Sequence, residues 1–283
     1  MKLAKYTLTT MFMFTALAFS ACSAVVFAPQ TYDVNNTVDV VIANAPMPLF
    51  VAPEPETTPE PLPVPPMPTE PEPEPYIPQG PRQLVALTFD DGPSRFTNYV
   101  LDKLNYHGAA ATFFVLGNRI APREAVVARM ARLGNEVVGH SWNHANFAGL
   151  TQEEILWQLQ YTSAAIEAVI GETPSPIFRP PYGIITDNVR YAAQEAGYAI
   201  VNWSVDTEDW LNRDADIIYA RIMDVVRHGS IVLMHDLRPA TVDAVERAIP
   251  SLIAQGFELV TVSELLEYVF EEITPGYTYI GLR

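Results

Sequence analysis

The chain has 283 residues, of which 49% are hydrophobic, so it is long enough to form one large or two small domains with a sizeable core. Its formal net charge of −16 argues against nucleic acid and anionic lipid as electrostatic partners, because both would repel an acidic surface. The single cysteine excludes an intramolecular disulfide, so a domain outside the cytoplasm must be stable through its core alone.

The N-terminus has the pattern of an export signal. Two lysines precede an apolar run at residues 10–19, and small residues and Cys22 follow it. The run is too short to span a bilayer comfortably. Because the segment resembles a bacterial lipobox, we predict a signal peptide over residues 1–22 and a lipid anchor on Cys22, with a plain secreted protein as the alternative.

A segment without the pattern of a folded core follows over residues 23–81. Residues 46–81 hold most of the chain's 25 prolines, interleaved with glutamates. Proline fixes φ and removes amide donors, while like charges repel along the chain, so we predict a disordered linker with polyproline II character. With an anchor at Cys22 it would hold a domain away from the membrane; a tail without a spacing role is the alternative. Residues 31–45 carry no assignment.

From residue 82 onward, short apolar runs alternate with amphipathic stretches, several of which end in glycine. We predict buried parallel strands at residues 84–89, 111–116, 135–139, 176–178, 198–205, 230–234 and 257–262. Repeated strand-then-helix units predict an α/β fold with a parallel sheet, and about seven of them indicate a small or incomplete (β/α) barrel. A doubly wound open sheet is the alternative. In both folds, functional residues lie at the carboxyl ends of the strands.

Polar side chains follow five of these predicted strands. They are Asp90 and Asp91; His140 and His144; Arg179 and Tyr182; Asp206, Asp209 and Trp210; and His235 and Asp236. Each group alone is compatible with a turn, a cap or an exposed strand end, but the conjunction is far less expected by chance. Asp90 and Asp91 would face opposite sides of a regular strand, so we expect the turn at Gly92 and Pro93 to end the strand and let both serve one site.

Two imidazoles and one carboxylate make a three-ligand set that suits zinc or a similar divalent ion and leaves positions for water and substrate. A second carboxylate beside the ligand can act as a base, and a histidine from another strand can act as an acid. The residues therefore predict a metal-dependent hydrolase. A metalloprotease is disfavoured because the sequence has no HExxH helix. His107 and His228, each before a glycine at a helix end, are predicted to be structural.

The motifs TFDDGP, HSWNH, RPPY, VDTEDW and LMHD occur in this order. They closely resemble the five motifs of the polysaccharide deacetylases, also called NodB-homology or carbohydrate esterase family 4 enzymes. The resemblance covers about residues 82–270 and shows no departure at a catalytic position. It implies a distorted (β/α) barrel as the catalytic domain, which we place at residues 82–283, and metal-dependent removal of acetyl groups from a glycan.

The resemblance also implies catalytic roles for four residues. Asp90 would be the general base, and Arg179 would hold its carboxylate. His235 would be the general acid that protonates the leaving nitrogen. Asp209 would orient His235 and keep it cationic, since a carboxylate beside an imidazole raises the pKa of that imidazole.

The same resemblance implies the metal ligands and the pocket. The ligands would be Asp91, His140 and His144, and zinc is the metal we expect, with cobalt or nickel as alternatives. The backbone amide of Tyr182 would bind the oxyanion. Trp210 and Leu233 would line the pocket for the acetyl methyl group.

We expect the substrate to be N-acetylglucosamine-containing peptidoglycan at the outer face of the cytoplasmic membrane, because an anchor and a linker would place the domain there. Chitooligosaccharides, poly-N-acetylglucosamine and, by ester cleavage, acetylated xylan are the alternatives. A lipoprotein that binds wall glycans without catalysis is less favoured, since binding alone needs neither Asp90 nor His235. The sequence predicts no nucleic-acid partner and carries no signal for an oligomeric state.

Overall fold

The computed structural model describes residues 81–282. The predicted signal peptide, the lipid anchor at Cys22 and the proline-rich linker before residue 81 lie outside the described residues. None of the helices in the described part of the chain combines the length and the apolar character needed to cross a membrane.

Nine strands and seven α-helices alternate along the described residues. The strands are β1 (Gln83–Gly92), β2 (Thr112–Leu116), β3 (Glu136–Ser141), β4 (Ile177–Phe178), β5 (Ala199–Val201), β6 (Val205–Asp206), β7 (Ile231–His235), β8 (Phe257–Val260) and β9 (Thr278–Tyr279). The helices are α1 (Thr97–Tyr106), α2 (Glu124–Arg132), α3 (Gln152–Ile170), α4 (Asp187–Ala196), α5 (Ala215–Val225), α6 (Pro239–Ala254) and α7 (Val262–Glu267).

The sheet has the strand order of a distorted, incomplete barrel, as predicted. The order is β6-β7-β1-β2-β3-β4-β5-β9, with β8 paired to the first half of β1, and every one of these strand pairings is parallel. Strands from β1 to β5 are neighbours in sequence order, so this part of the sheet has no reversal of the kind that marks a doubly wound fold. The doubly wound alternative was therefore wrong.

The barrel is irregular where β5 gives way to β6. The single strand predicted at residues 198–205 is two short strands, because the chain leaves the sheet at Asn202 and returns after Ser204. The amide of Ser204 donates a hydrogen bond to the carbonyl of Ile231 at 3.0 Å, which fixes this crossing to β7. Strand β9 was not predicted, since two residues are too few to show an alternating pattern.

Strand β1 is the centre of the core, and residues 84–89 are fully buried. Val85, Leu87 and Phe89 pack in the cluster formed with the outer helices, whereas Leu84 and Ala86 pack in a second cluster with residues of other strands. Burial on both faces explains why the sequence of β1 is a continuous apolar run and does not alternate. The first polar side chains that follow this run lie at the rim of the barrel.

Helix α3 has well-defined caps at both ends, and it supports the rim. Thr151 and Glu154 form a reciprocal capping box at its start, and Gly171 ends it in the left-handed conformation, with φ of 80°. The buried side chain of Gln158 accepts a hydrogen bond from the amide of Trp142 at 2.7 Å. The helix thereby holds the loop that follows β3.

Candidate functional site

The strand ends converge on one cavity of about 410 Å³ at the rim of the barrel. The residues that line it are Asp90, Asp91, His140, His144, Tyr182, Trp203, Asp206, Trp210, Leu233 and His235. Two further predicted residues, Arg179 and Asp209, lie behind the cavity, and each is hydrogen-bonded to a residue that lines it. The structure thus brings the site residues that were predicted from separate strands into one constellation.

Two adjacent carboxylates reach the same cavity because β1 contains a bulge. The pairing of β1 with β2 shifts register between Asp90 and Gly92, so Asp91 is an extra residue in the strand. Its backbone is left-handed, with φ of 67°, a conformation that glycine usually adopts in one class of bulge. As predicted, β1 ends at Gly92, next to Pro93, and the bulge just before this end redirects the side chain of Asp91.

Asp91, His140 and His144 form a possible metal site. Their ligand atoms all lie within 4.8 Å of one another, and Oδ1 of Asp91 is 3.6 Å from Nε2 of His140 and 3.4 Å from Nε2 of His144. Two atoms that bind one tetrahedral zinc at about 2.0–2.1 Å lie roughly 3.3–3.4 Å apart. Oδ1 of Asp91 is also buried without a hydrogen-bond partner among the described residues, which is unfavourable unless a cation binds there. The three residues therefore fit a divalent ion.

His140 is oriented for ligation by its second ring nitrogen. Nδ1 lies 2.7 Å from the carbonyl oxygen of Arg179, and donation to that oxygen leaves Nε2 to face Asp91. Burial lowers the pKa of His140 to about 3, although the charge of Asp91 opposes this shift. The imidazole is therefore neutral at physiological pH, which is the form that binds a metal.

Asp90 is buried and paired with Arg179. Nη1 of Arg179 donates to Oδ1 of Asp90 at 2.7 Å, and the same guanidinium donates to one hydroxyl and two backbone carbonyls. These contacts satisfy a cation that is 0% exposed. Burial raises the pKa of the Asp90 carboxyl, while the charges of Arg179 and His235 oppose that rise. A carboxylate with a raised pKa is a stronger base than an exposed aspartate.

His235 is held by Asp209 at the end of β7. Nδ1 of His235 lies 2.8 Å from Oδ1 of Asp209, and the backbone amide of His235 donates to Oδ2 at 2.7 Å. Burial alone would lower the pKa of His235, but the hydrogen bond and charge of Asp209, with the charges of Asp90 and Asp91, raise it to about 9. His235 is therefore protonated at neutral pH, and its Nε2 is left as a proton donor.

Two lining residues had no role in the site predicted from the sequence. Asp206 was placed at the strand ends without a role, and Trp203 was placed inside a predicted strand. Both line the cavity because the chain leaves the sheet between β5 and β6. A tryptophan beside the polar residues Asn202 and Ser204 was the available signal for that break. His107 and His228 do not line the cavity, and Nδ1 of His228 accepts a hydrogen bond from the amide of Leu84.

The amino-acid sequence matches known proteins over the barrel. A sequence model of the family described as polysaccharide deacetylase matches residues 78–201. The peptidoglycan-N-acetylglucosamine deacetylase PgdA of Listeria monocytogenes is 39% identical over 194 residues, which are 67% of this chain and 41% of that protein. The peptidoglycan-N-acetylmuramic acid deacetylase PdaC of Bacillus subtilis is 40% identical over 187 residues, which are 66% of this chain and 39% of that protein. The chain therefore spans about two fifths of the length of these relatives.

A peptidoglycan-N-acetylglucosamine deacetylase of Bacillus cereus matches over most of its own length. It is 37% identical over 192 residues, which are 66% of this chain and 89% of that protein. Among solved structures, the family 4 acetyl xylan esterase from Clostridium thermocellum in complex with a cobalt ion has a TM-score of 0.66 and 33% identity, over 70% of this chain and 98% of that chain. The barrel that the motifs predicted is therefore a fold that this solved structure shares.

Zinc binding tests the candidate metal site directly. Titration of the purified, metal-free protein should reveal one tight zinc site, and His144→Ala should weaken it because a ligand is lost. Zinc affinity should fall by more than the roughly 10–100-fold that is typical when a residue that only supports a metal ligand is removed. His107→Ala, which alters a histidine at the end of α1, is the control. Equal zinc affinity in the two variants would contradict the assignment.

Proposed function

The chain belongs to the polysaccharide deacetylase family, and we propose that it is a metal-dependent hydrolase that removes N-acetyl groups from the N-acetylglucosamine units of peptidoglycan and releases acetate. One observation carries the proposal. A single cavity combines a possible metal site with a buried, raised-pKa carboxyl, Asp90, and a protonated imidazole, His235. Residues 82–283 are the catalytic domain in this proposal.

We assign Asp91, His140 and His144 as the metal ligands. When bound, a divalent ion supplies polarisation of the acetamide carbonyl and lowers the pKa of water. Zinc is our assignment because two imidazoles and one carboxylate suit it, and the same set accepts cobalt or nickel. The cobalt ion named with the C. thermocellum esterase supports a divalent transition metal in this family.

Asp90 is the general base that takes a proton from the attacking water. Its Oδ1 accepts the hydrogen bond from Arg179, so Oδ2 is the oxygen that remains for the water. The charge of Arg179 favours the ionised carboxylate of Asp90, which is the form a base needs. Burial keeps the pKa of Asp90 above its ordinary range, which makes the carboxylate a stronger base.

His235 is the general acid, because an amide anion is far too basic to leave without a proton. Asp209 keeps the imidazole cationic and fixes its ring through Nδ1, so Nε2 donates to the departing nitrogen. We assign oxyanion stabilisation to the backbone amide of Tyr182, whose φ of 61° is a strained backbone conformation of the kind found at functional sites. Trp210 and Leu233 flank the acetyl methyl group in this scheme.

Peptidoglycan is the favoured substrate because the names of three relatives specify it. One of those names specifies N-acetylmuramic acid, so the other sugar of the same polymer is an alternative. Chitooligosaccharides, poly-N-acetylglucosamine and acetylated xylan remain further alternatives, the last supported by the name of the C. thermocellum esterase. Glycan binding without catalysis is disfavoured, since it leaves no task for the buried Asp90 and the protonated His235.

An extracytoplasmic location fits action on the cell wall. We also propose that a lipid on Cys22 attaches the protein to the membrane. The proline-rich segment before residue 81 would then let the barrel reach the wall. Secretion without a lipid is the alternative for this part of the proposal.

Acetate release tests the proposed activity. We expect more acetate from peptidoglycan than from chitooligosaccharides or acetylated xylan, and a chelator should abolish its release.

Asp90→Asn should lower kcat by about 10²–10⁴-fold, the usual contribution of acid–base catalysis, and leave zinc content unchanged. Asp91→Asn should lose zinc as well as rate.

A rate that survives the chelator would refute the metal mechanism. Loss of zinc in Asp90→Asn with retention in Asp91→Asn would reverse the roles of the two aspartates. Acetate released equally from all three glycans would refute peptidoglycan as the preferred substrate.

The pH dependence of the rate tests the acid. His235 donates a proton only while it is protonated, so activity should fall as pH rises through its pKa. Asp209→Asn removes the charge that contributes most to raising the pKa of His235, so this pKa falls and the alkaline limb of kcat against pH should move to lower pH. Asp206→Asn, in the same cavity, should leave that limb in place. An unmoved limb in Asp209→Asn means that His235 is not the acid.

A further inference from the structure

Asp236 is a buried acidic residue that the proposed mechanism does not use. It follows His235 at the end of β7, and it is 0% exposed. Its Oδ1 has no hydrogen-bond partner among the described residues. Burial of a carboxylate is unfavourable unless other interactions compensate, so its contacts indicate what it does for the fold.

Asp236 joins the turn after β1 to the end of β7. Its Oδ2 accepts a hydrogen bond from the hydroxyl of Thr97, and its backbone carbonyl accepts one from the hydroxyl of Ser94. The amide of Ser94 in turn donates to Oγ1 of Thr97 at 2.8 Å. The start of α1 is therefore tied to the carboxylate of Asp236, and the turn before α1 is tied to the backbone carbonyl of the same residue.

The carboxylate of Asp236 also packs against the backbone of Gly92. A Cβ added to Gly92 would lie 3.2 Å from Oδ1 of Asp236, tighter than an ordinary contact, so a glycine lets the carboxylate come this close. Gly92 directly follows Asp91 in the bulge. The carboxylate therefore lies against the stretch of backbone that carries a candidate metal ligand.

That stretch needs support because Asp91 has a left-handed backbone. A non-glycine residue keeps such a conformation only where its surroundings hold it. Arg119 supports one side, since its Nη1 donates to the carbonyl oxygen of Asp91 at 2.6 Å. On the other side, the residues after Asp91 are held by Asp236 with Thr97 and Ser94.

We propose that Asp236, acting through Thr97 and Ser94, is a positioning residue that holds the bulge at Asp91 and so sets the metal affinity of the site. The inference rests on the proposed function in one respect, the assignment of Asp91 as a metal ligand. Asp236 takes no part in proton transfer and does not bind the metal. Its removal loosens the backbone of Asp91 and weakens metal binding while the barrel stays folded.

Zinc affinity of the metal-free enzyme, measured by competition with a chromogenic chelator, tests this without any need for activity. Asp236→Ala and Thr97→Val should each weaken zinc binding about tenfold or more, as is typical for residues that orient a metal ligand. Asp236→Asn keeps an oxygen that can accept from Thr97, and its affinity should stay within about threefold of the wild type. If Asp236→Ala does not fold, the zinc affinity of Thr97→Val alone tests the proposal.

Thr112→Val is the matched control. It removes a buried hydroxyl at the start of β2, which donates to Glu136 and accepts from the amide of Val262. This variant should lower the melting temperature as Thr97→Val does, yet keep zinc affinity within about twofold, because it lies far from the site. A Thr97→Val variant that also keeps zinc affinity within about twofold would overturn the proposal.

The failure of this inference can be told apart from failure of the proposed function. If the wild type binds zinc and the two variants bind it more weakly, the positioning role stands, whether or not acetate is released. If acetate is released and the variants keep wild-type zinc affinity, the proposed function stands and the positioning role is refuted.

Discussion

The left-handed backbone at Asp91 is the constraint on which the site depends. One extra residue in β1 lets two adjacent carboxylates face the same cavity, where a regular strand would have separated them. The two then meet different surroundings: Asp90 is buried against Arg179, and Asp91 faces two imidazoles. Different surroundings are what allow neighbouring groups of the same chemistry to take different tasks. The proposed division between a base, Asp90, and a metal ligand, Asp91, therefore depends on one φ angle.

The parallel barrel supplies the partner of each group from another strand. Arg179 follows β4 and reaches back to Asp90 on β1, while Asp209 follows β6 and holds His235 at the end of β7. Each pair is buried, so solvent screens the interaction of its two charges only weakly; Asp209 raises the pKa of His235, and Arg179 opposes the rise that burial causes in the pKa of Asp90. Asp236 extends this arrangement, because its side chain, directly after β7, accepts a hydrogen bond from Thr97 at the start of α1 and lies against Gly92 of β1.

The sequence was sufficient for the fold and for the convergence of the strand ends. Apolar runs that do not alternate indicated strands buried on both faces, and the carboxyl ends of parallel strands must share one rim. The bulge at Asp91 was not predictable, since it depends on register with β2. The break in the strand at Trp203 had only a weak signal, its polar neighbours, because an aromatic residue is common in strands. The contact of Thr97 with Asp236 joins residues far apart in the chain, and no local pattern signals it.

In the proposed function, Asp91 binds the metal and Asp90 does not. Diffraction from crystals of the zinc-loaded protein, recorded at the zinc absorption edge, tests it most directly. We expect one anomalous peak within bonding distance of Asp91, His140 and His144, with Asp90 still paired to Arg179. A peak bonded to Asp90, or one that lies away from both histidines, would contradict it.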